Sequence, residues 1–165
     1  MTKKEILLEQ FTTCYDENGW FVALDNALAN LSAADAAWKT ANLDNSIWEI
    51  LAHLNYYNHA YLERFKGREF VHSIAANDET FAGAETVAEE RWQAEIEKFR
   101  AIMNEWRELL ENAPETKFDE PASPKNPDGW ATVIALVNTH NAHHGGQIVV
   151  IRKLQGSWDA SKGVS

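Results

Sequence analysis

Two histidines, His140 and His144, lie four residues apart in an otherwise apolar stretch of the sequence. If residues 133–151 form a helix, both imidazoles lie within about 60° of one direction that they share with the apolar side chains of Val137, Ile148 and Ile151. Side chains at positions i and i+4 are roughly 5–6 Å apart at Cβ, so two imidazole nitrogens could reach one metal ion at ~2.0–2.1 Å. The alternative is a pair of core histidines, each with its own hydrogen-bond partner in a dry interior. The spacing favours a metal-binding helix.

The sequence before these histidines predicts two helices. Apolar residues recur at helical intervals from Lys3 to about Leu31, although Asn18-Gly19 could bend this first predicted helix. Ser46 and Glu49 have the spacing of a capping box, which predicts that a second helix begins there and ends at the following Lys-Gly pair. His53 lies at the edge of the apolar stripe of this helix. Periodicity alone therefore leaves open whether its imidazole is buried or exposed.

The remaining sequence predicts two more helices and two long connections. Gly67–Gly83 lacks a clean period and is expected to connect the second and third helices. The third helix has apolar residues at alternating spacings of four and three, as in a bundle seam: Trp92, Ile96, Phe99, Met103, Trp106 and Leu110. All four prolines lie within 112–129, which excludes a regular helix and makes this segment a candidate lid or entrance wall. The fourth helix is predicted from about Trp130 to Leu154, ended by Gly156.

Length and composition limit the class of protein. The 165 residues suit one domain with its own core, predicted to span residues 1–156 and to be followed by a tail of residues 157–165. A net charge of −10 without a basic stripe argues against nucleic-acid binding. No run approaches ~18 apolar residues, and no signal segment is recognised, so we expect a cytoplasmic protein without a membrane span. Cys14 is the only cysteine and lies among apolar positions, which favours a small core residue over a nucleophile.

Two segments resemble the signatures of the DinB/YfiT-like superfamily, namely residues 46–54 (SIWEILAHL) and residues 140–148 (HNAHHGGQI). The resemblance extends over nearly the whole chain. It implies an all-α fold, a four-helix bundle with long connections between helices two and three and between helices three and four. It also implies one divalent metal ion, held by His53 from helix two and by His140 and His144 from helix four. His143 matches a neighbouring position that is usually not a ligand in that family.

Other positions refine this expectation. Gln147 and Glu49 are candidate hydrogen-bond partners for the imidazoles, although Glu49 fits the capping role at least as well. Two glycines within a helix, at Gly145 and Gly146, lower its stability by about 2 kcal/mol relative to alanine. We expect that they are present because a neighbouring helix approaches closely at this point. Asn45 and Phe21 stand where relatives carry histidine, so any substrate-binding role of those histidines does not transfer to this chain.

The histidines and the resemblance lead to two main hypotheses. Three neutral imidazoles leave a zinc or nickel ion with its full charge and an open position, as in catalytic zinc sites. The first hypothesis is therefore a metal-dependent enzyme acting on a small molecule, either a hydrolase or a transferase of low-molecular-weight thiols such as bacillithiol or mycothiol. The second is a non-catalytic metal-binding stress or regulatory protein, because no general base is evident beside the metal. Relatives also suggest a homodimer, and a weaker alternative is a basic partner bound by the acidic face of the third helix.

Overall fold

The computed structural model describes residues 1–83, 87–123 and 126–163 of the chain. These residues are mostly helical, as the sequence predicts, with α1 at Lys3–Tyr15, α2 at Leu24–Leu28, α3 at Ala33–Ala37, α4 at Ile47–Phe65, α5 at Glu89–Asn112 and α6 at Trp130–Gln155. Short 3₁₀ helices cover Asn77–Thr80, Glu115–Asp119 and Ala160–Lys162, and two antiparallel strands pair, β1 at Pro121–Ser123 with β2 at Asn126–Gly129. Within this part of the chain, every helix is too short or too polar to cross a membrane. Pro124 and Lys125 of the proline-rich segment, and Val164 and Ser165 of the predicted tail, lie outside the described residues.

The first predicted helix is wrong in its length, because residues 16–23 separate α1 from α2. The side-chain oxygen of Asn18 accepts the backbone N–H of Ala23 at 2.9 Å, which closes a loop in place of a helical turn. A Cβ atom at Gly19 would lie only 2.9 Å from Cγ2 of Thr13, so the chain can turn here only without a side chain. The Asn-Gly pair therefore lies in the loop that follows α1 and does not bend a continuous helix.

The four longest helices, α1, α4, α5 and α6, pack against one another around an aromatic-rich core. Each of α1 and α4 contacts both α5 and α6. All six residues of the seam predicted on α5 are buried, which confirms that prediction. The indole N–H of Trp106 donates to the backbone oxygen of Asn58 at 2.9 Å, so this buried side chain leaves no unpaired donor in the core.

The predicted ends of α4 and α6 are confirmed. Ser46 Oγ accepts the backbone N–H of Glu49 at 3.2 Å, and the Glu49 carboxylate accepts the backbone N–H of Ser46 at 2.6 Å. This carboxylate also pairs with the ammonium of Lys39 at 3.0 Å, so it caps the helix and is not the partner of an imidazole. Gly156 follows α6 in the left-handed conformation, with a φ of 79°, which suits a glycine at a helix C-terminus.

The described residues of the proline-rich segment brace the start of α1 and α6. The 3₁₀ helix at its start contacts both of these helices, and its Phe118 is buried. The carboxylate of Glu115 accepts the backbone N–H of Lys3 at 2.9 Å, and the ammonium of Lys3 pairs with Asp119. The cavity beside the histidines, described below, is lined by α4, α6 and the connection before α5. None of the residues described as lining the cavity comes from the described part of this segment, our candidate lid or entrance wall.

Residues that follow α6 contact the helices. The guanidinium of Arg152, buried within α6, donates to the backbone oxygen of Ser157 at 2.9 Å and lies 5.3 Å from the ring centre of Trp158. The side-chain amide of Asn18 donates to the backbone oxygen of Lys162 at 3.2 Å. These contacts fix the described part of the segment against the body of the protein.

Candidate metal centre

His53 is buried in the interior, which answers the question that its position on the stripe edge left open. Its side chain lies on α4, which packs against α5 and α6, and only 3% of the residue is exposed. The ring of Phe81, from the connection between α4 and α5, stacks on the imidazole with ring centres 4.0 Å apart and planes 12° apart. The connection therefore covers a face of His53 that the helices leave open.

The three predicted histidines meet at one point. Nε2 of His140 lies 2.9 Å from Nε2 of His53 and 3.2 Å from Nε2 of His144. One ring nitrogen from each residue lies within 4.8 Å of the others. A tetrahedral ion with metal–nitrogen bonds of ~2.0–2.1 Å separates two of its ligand atoms by about 3.3 Å. The two distances from His140 are close to this spacing and the third is at most 4.8 Å, so the cluster could hold a metal ion.

Thr80 fixes which nitrogen of His53 carries the proton. The Thr80 hydroxyl donates its only proton to the backbone oxygen of Asn77 at 2.6 Å. Nδ1 of His53 lies 2.6 Å from the same hydroxyl oxygen, so Nδ1 must be the donor in that contact. The Nε2 atom of His53 is then left with its lone pair, directed at the other two rings.

Gln147, which the sequence suggested as a partner of an imidazole, fixes which nitrogen of His144 carries the proton. Nδ1 of His144 lies 2.6 Å from Oε1 of Gln147, and a carbonyl oxygen can only accept. This contact holds the Nδ1 proton and leaves the Nε2 lone pair facing His140. Hydrogen bonds of this kind set the orientation and basicity of metal-binding imidazoles.

Burial keeps the three imidazoles neutral near pH 7. It lowers the pKa of His53 to about 3, and the charges that His144 and His140 would carry lower it further. It lowers the pKa of His140 to about 4, again with help from neighbouring histidines, and lowers the pKa of His144. A proton on His140 Nε2 can be donated to only one of the two facing lone pairs. A divalent cation could accept all three, so the donor set fits such an ion.

Neighbouring residues that could have joined the cluster do not. His143 is exposed, and its ring nitrogens are not among the three that converge. Cys14 is buried on α1, where its thiol donates to the backbone oxygen of Asn138 at 3.3 Å. Burial raises the pKa of this thiol to about 11, which agrees with a core role.

The expectation that a neighbouring helix approaches closely enough to require glycine at positions 145 and 146 is wrong. A Cβ atom at Gly145 would lie 3.5 Å from Cδ2 of Leu24, which is an ordinary contact, and nothing lies within 4 Å of the same position at Gly146. The approach of a neighbouring element therefore requires glycine at neither position, and the structure gives no other reason for the pair.

A cavity of about 300 Å³ opens beside the cluster, between α4 and α6. His53 and His140 form part of its wall. The ring of Tyr57, which also lines the cavity, lies edge-on to both imidazoles, with its centre 4.9 Å from that of His53 and 5.9 Å from that of His140. A small molecule in this cavity would lie next to two of the three converging imidazoles.

Thr80 and Phe81 are the site residues that the sequence did not reveal. Both lie at the end of a connection without helical or strand periodicity, so no pattern indicated that they face His53. The polar stretch before them, which forms the 3₁₀ helix Asn77–Thr80, reads as a solvated loop from sequence alone. In the structure this short helix contacts α4 and carries the Thr80 hydroxyl into the buried site.

A family model described as the DinB superfamily matches residues 21–148 of the chain. This range contains the three converging histidines together with Thr80 and Gln147. No curated protein and no solved structure matches the chain.

Proposed function

Because the chain belongs to the DinB superfamily, we propose that it binds one divalent metal ion, zinc or nickel, through His53, His140 and His144. The observation that carries this proposal is the convergence of three Nε2 atoms, two of which have their lone pairs directed inward by Thr80 and Gln147. We also infer that α1, α4, α5 and α6 form the four-helix bundle of the DinB/YfiT type, since these are the helices that pack around the core.

We propose further that the protein is a metal-dependent enzyme acting on a small molecule. A divalent ion bound by three neutral imidazoles would supply Lewis-acid activation of water or of a small thiol, as a hydrolase or an S-transferase requires. Thr80 and Gln147 hold the Nδ1 protons and so prevent the rings from rotating. Phe81 excludes water from one face of His53, and the adjoining cavity gives a substrate access to the cluster.

One observation favours a second candidate, a metal-binding protein without turnover. The residues described as lining the cavity include no Asp or Glu, so none of them offers a carboxylate to act as a general base. The two candidates differ in one measurement. The zinc- or nickel-loaded protein should hydrolyse a small ester or conjugate a small thiol if it is an enzyme, and a metal-dependent rise in melting temperature without either reaction would favour the second candidate.

Elemental analysis of the protein purified without a metal-binding tag tests the metal site. We expect about one zinc or nickel ion per chain in the wild type and none in the His144→Ala variant. His143→Ala is the matched control, because it removes the adjacent exposed imidazole and leaves the cluster intact. Circular dichroism should show helical content unchanged in both variants. An equal metal content in His144→Ala and the wild type would contradict the proposed site.

A further inference from the structure

We propose that the cavity between α4 and α6 binds an uncharged, largely apolar molecule about as large as two aromatic rings, with one donor group directed at the three histidines. This inference rests on the metal site proposed above, and adds to it the class of molecule that the site accepts.

The first argument is the absence of fixed charge from the described wall of the cavity. Besides the two histidines, its wall consists of asparagine, tyrosine and aliphatic side chains, among them Val133, Leu136 and Val137 of α6. None of the residues described as lining it is Asp, Glu, Lys or Arg. An ionic group on the body of a ligand would lose its hydration here without gaining a counter-ion. The cavity therefore selects against charge everywhere except at the end that faces the cluster.

The second argument is that two polar side chains of the wall, Asn58 and Tyr57, already use their protons within the protein. The side-chain amide of Asn58 donates to the backbone oxygen of Leu54 at 2.8 Å and to Oδ1 of Asn141 at 2.9 Å. The hydroxyl of Tyr57 donates to Oδ1 of Asn77 at 3.0 Å. Asn58 has no proton left for a ligand, and Tyr57 offers only an acceptor oxygen. These two side chains therefore offer no donor to a sugar or a peptide, which needs many hydrogen-bond partners.

The third argument concerns size and shape. A cavity of roughly 150 Å³ in a protein core holds one benzene molecule, so about 300 Å³ corresponds to about two rings. Tyr57 lies across the wall with its ring at 65° to that of His53 and at 79° to that of His140. Such tilted and edge-to-face arrangements are favourable between aromatic groups, and an aromatic ligand could extend them. A flat, two-ring body fits this wall better than a branched or flexible one.

A series of hydroxamates tests this proposal, because they share one metal-directed head and differ only in the body. The probes are acetohydroxamate, benzohydroxamate, naphthohydroxamate and para-carboxybenzohydroxamate, titrated calorimetrically into zinc-loaded protein. We expect naphthohydroxamate to bind at least about tenfold more tightly than acetohydroxamate, because its apolar rings are buried. We expect para-carboxybenzohydroxamate to bind at least about tenfold more weakly than benzohydroxamate, because its carboxylate meets no cation.

A pair of charge-adding variants locates the probes on the surface of α6. Leu136 lines the cavity and Leu154 does not, yet the two are 61% and 62% exposed, so lysine is tolerated equally at both positions. In Leu136→Lys, para-carboxybenzohydroxamate should bind several-fold more tightly than to the wild type, and naphthohydroxamate more weakly. Leu154→Lys should leave both affinities within about twofold of the wild type. Identical behaviour of the two variants would overturn the proposal.

The experiment separates failure of this inference from failure of the metal site. If the wild type retains neither zinc nor nickel, the proposed function fails, and the inference fails with it. If zinc binds with a stoichiometry near one and all four hydroxamates bind with similar affinity, the metal site stands and the apolar specificity is wrong. If zinc binds and the order of affinities is as expected, the site accepts an uncharged apolar body beside the metal, as proposed.

Discussion

Asn58 of α4 and Asn141 of α6 exchange two hydrogen bonds through their side-chain amides, at 2.9 and 3.0 Å. Both residues are buried, and Asn141 directly follows His140 in the chain. Sliding one helix by a single residue would displace it by about 1.5 Å, more than these hydrogen bonds tolerate. The pair therefore fixes the register in which the histidine of α4 meets the two histidines of α6.

Replacing one member of this pair should destabilise the protein more than replacing both. In Asn141→Leu, the buried amide of Asn58 loses both of its cross-helix contacts, and we expect a loss of about 2–3 kcal/mol. For a chain of this size, that corresponds to a fall in melting temperature of roughly 4–12 °C. The double variant Asn58→Leu/Asn141→Leu should recover part of the loss. Thermal melts of the wild type, the two single variants and the double variant would measure this difference. Strictly additive effects would show that the two side chains do not act as a pair.

Removing the Thr80 hydroxyl should weaken metal binding without removing a ligand. In Thr80→Val, Nδ1 of His53 loses its acceptor, so the ring is free to rotate and to change tautomer. We expect zinc affinity to fall about 10- to 100-fold, as measured by competition with a chromophoric chelator. Thr13→Val is the control, since its hydroxyl donates only to backbone oxygens within α1. A Thr80→Val protein with wild-type affinity would show that this hydrogen bond does not orient His53.

Substitutions of Gln147 should change zinc affinity in opposite directions. A carboxylate accepts the Nδ1 proton of His144 more strongly than an amide does, which makes Nε2 a better electron-pair donor. Gln147→Glu should therefore bind zinc more tightly than the wild type, and Gln147→Leu about tenfold or more less tightly. Both variants should retain the wild-type helical content, because the residue is exposed. If both changes weaken binding equally, the amide acts through local packing.

Cys14 should react slowly with a thiol reagent while the protein is folded. Its pKa of about 11, against an ordinary value of 9.0, leaves about a hundredfold less thiolate at pH 8 than an unhindered cysteine has, and burial restricts access as well. Because the folded-state pKa is the higher one, the stability linked to this thiol is complete below pH 9 and is lost as the pH rises towards 11. Ellman's reagent, applied at pH 8 with and without guanidinium, measures the difference. A rapid reaction in the folded protein would contradict this placement.

Helical periodicity and capping predicted much of the fold from sequence. The start of α4 at Ser46 and the end of α6 at Gly156 follow from local hydrogen bonding and backbone conformation, which adjacent residues determine. The seam of α5 follows from regular spacing over a long helix. The break after α1 is not predictable in this way, because Asn-Gly is compatible with a bend or a loop, and the loop depends on a hydrogen bond from Ala23 to the side chain of Asn18.

The candidate site was predictable only in part. The i, i+4 spacing of His140 and His144 indicated their shared direction, which the structure confirms. His53 could be included only through the family resemblance, because its burial depends on Phe81, which is distant in sequence and lies in an irregular segment. Thr80 could not be inferred at all, since its role comes from a tertiary contact that no periodicity records. The composition of the cavity wall around Tyr57 could not be predicted either, because its residues come from separate parts of the chain, mainly α4 and α6.

The separation of the converging histidines along the chain also bears on protein synthesis. His53 and His140 are 87 positions apart, and His144 follows four residues later. A ribosome therefore completes α4 long before the other two imidazoles exist, and a nascent chain that stalls anywhere in between carries only one of the three converging histidines. The cluster can assemble only after α6 has emerged, so its formation reports that α4 and α6 have both been made and have packed together.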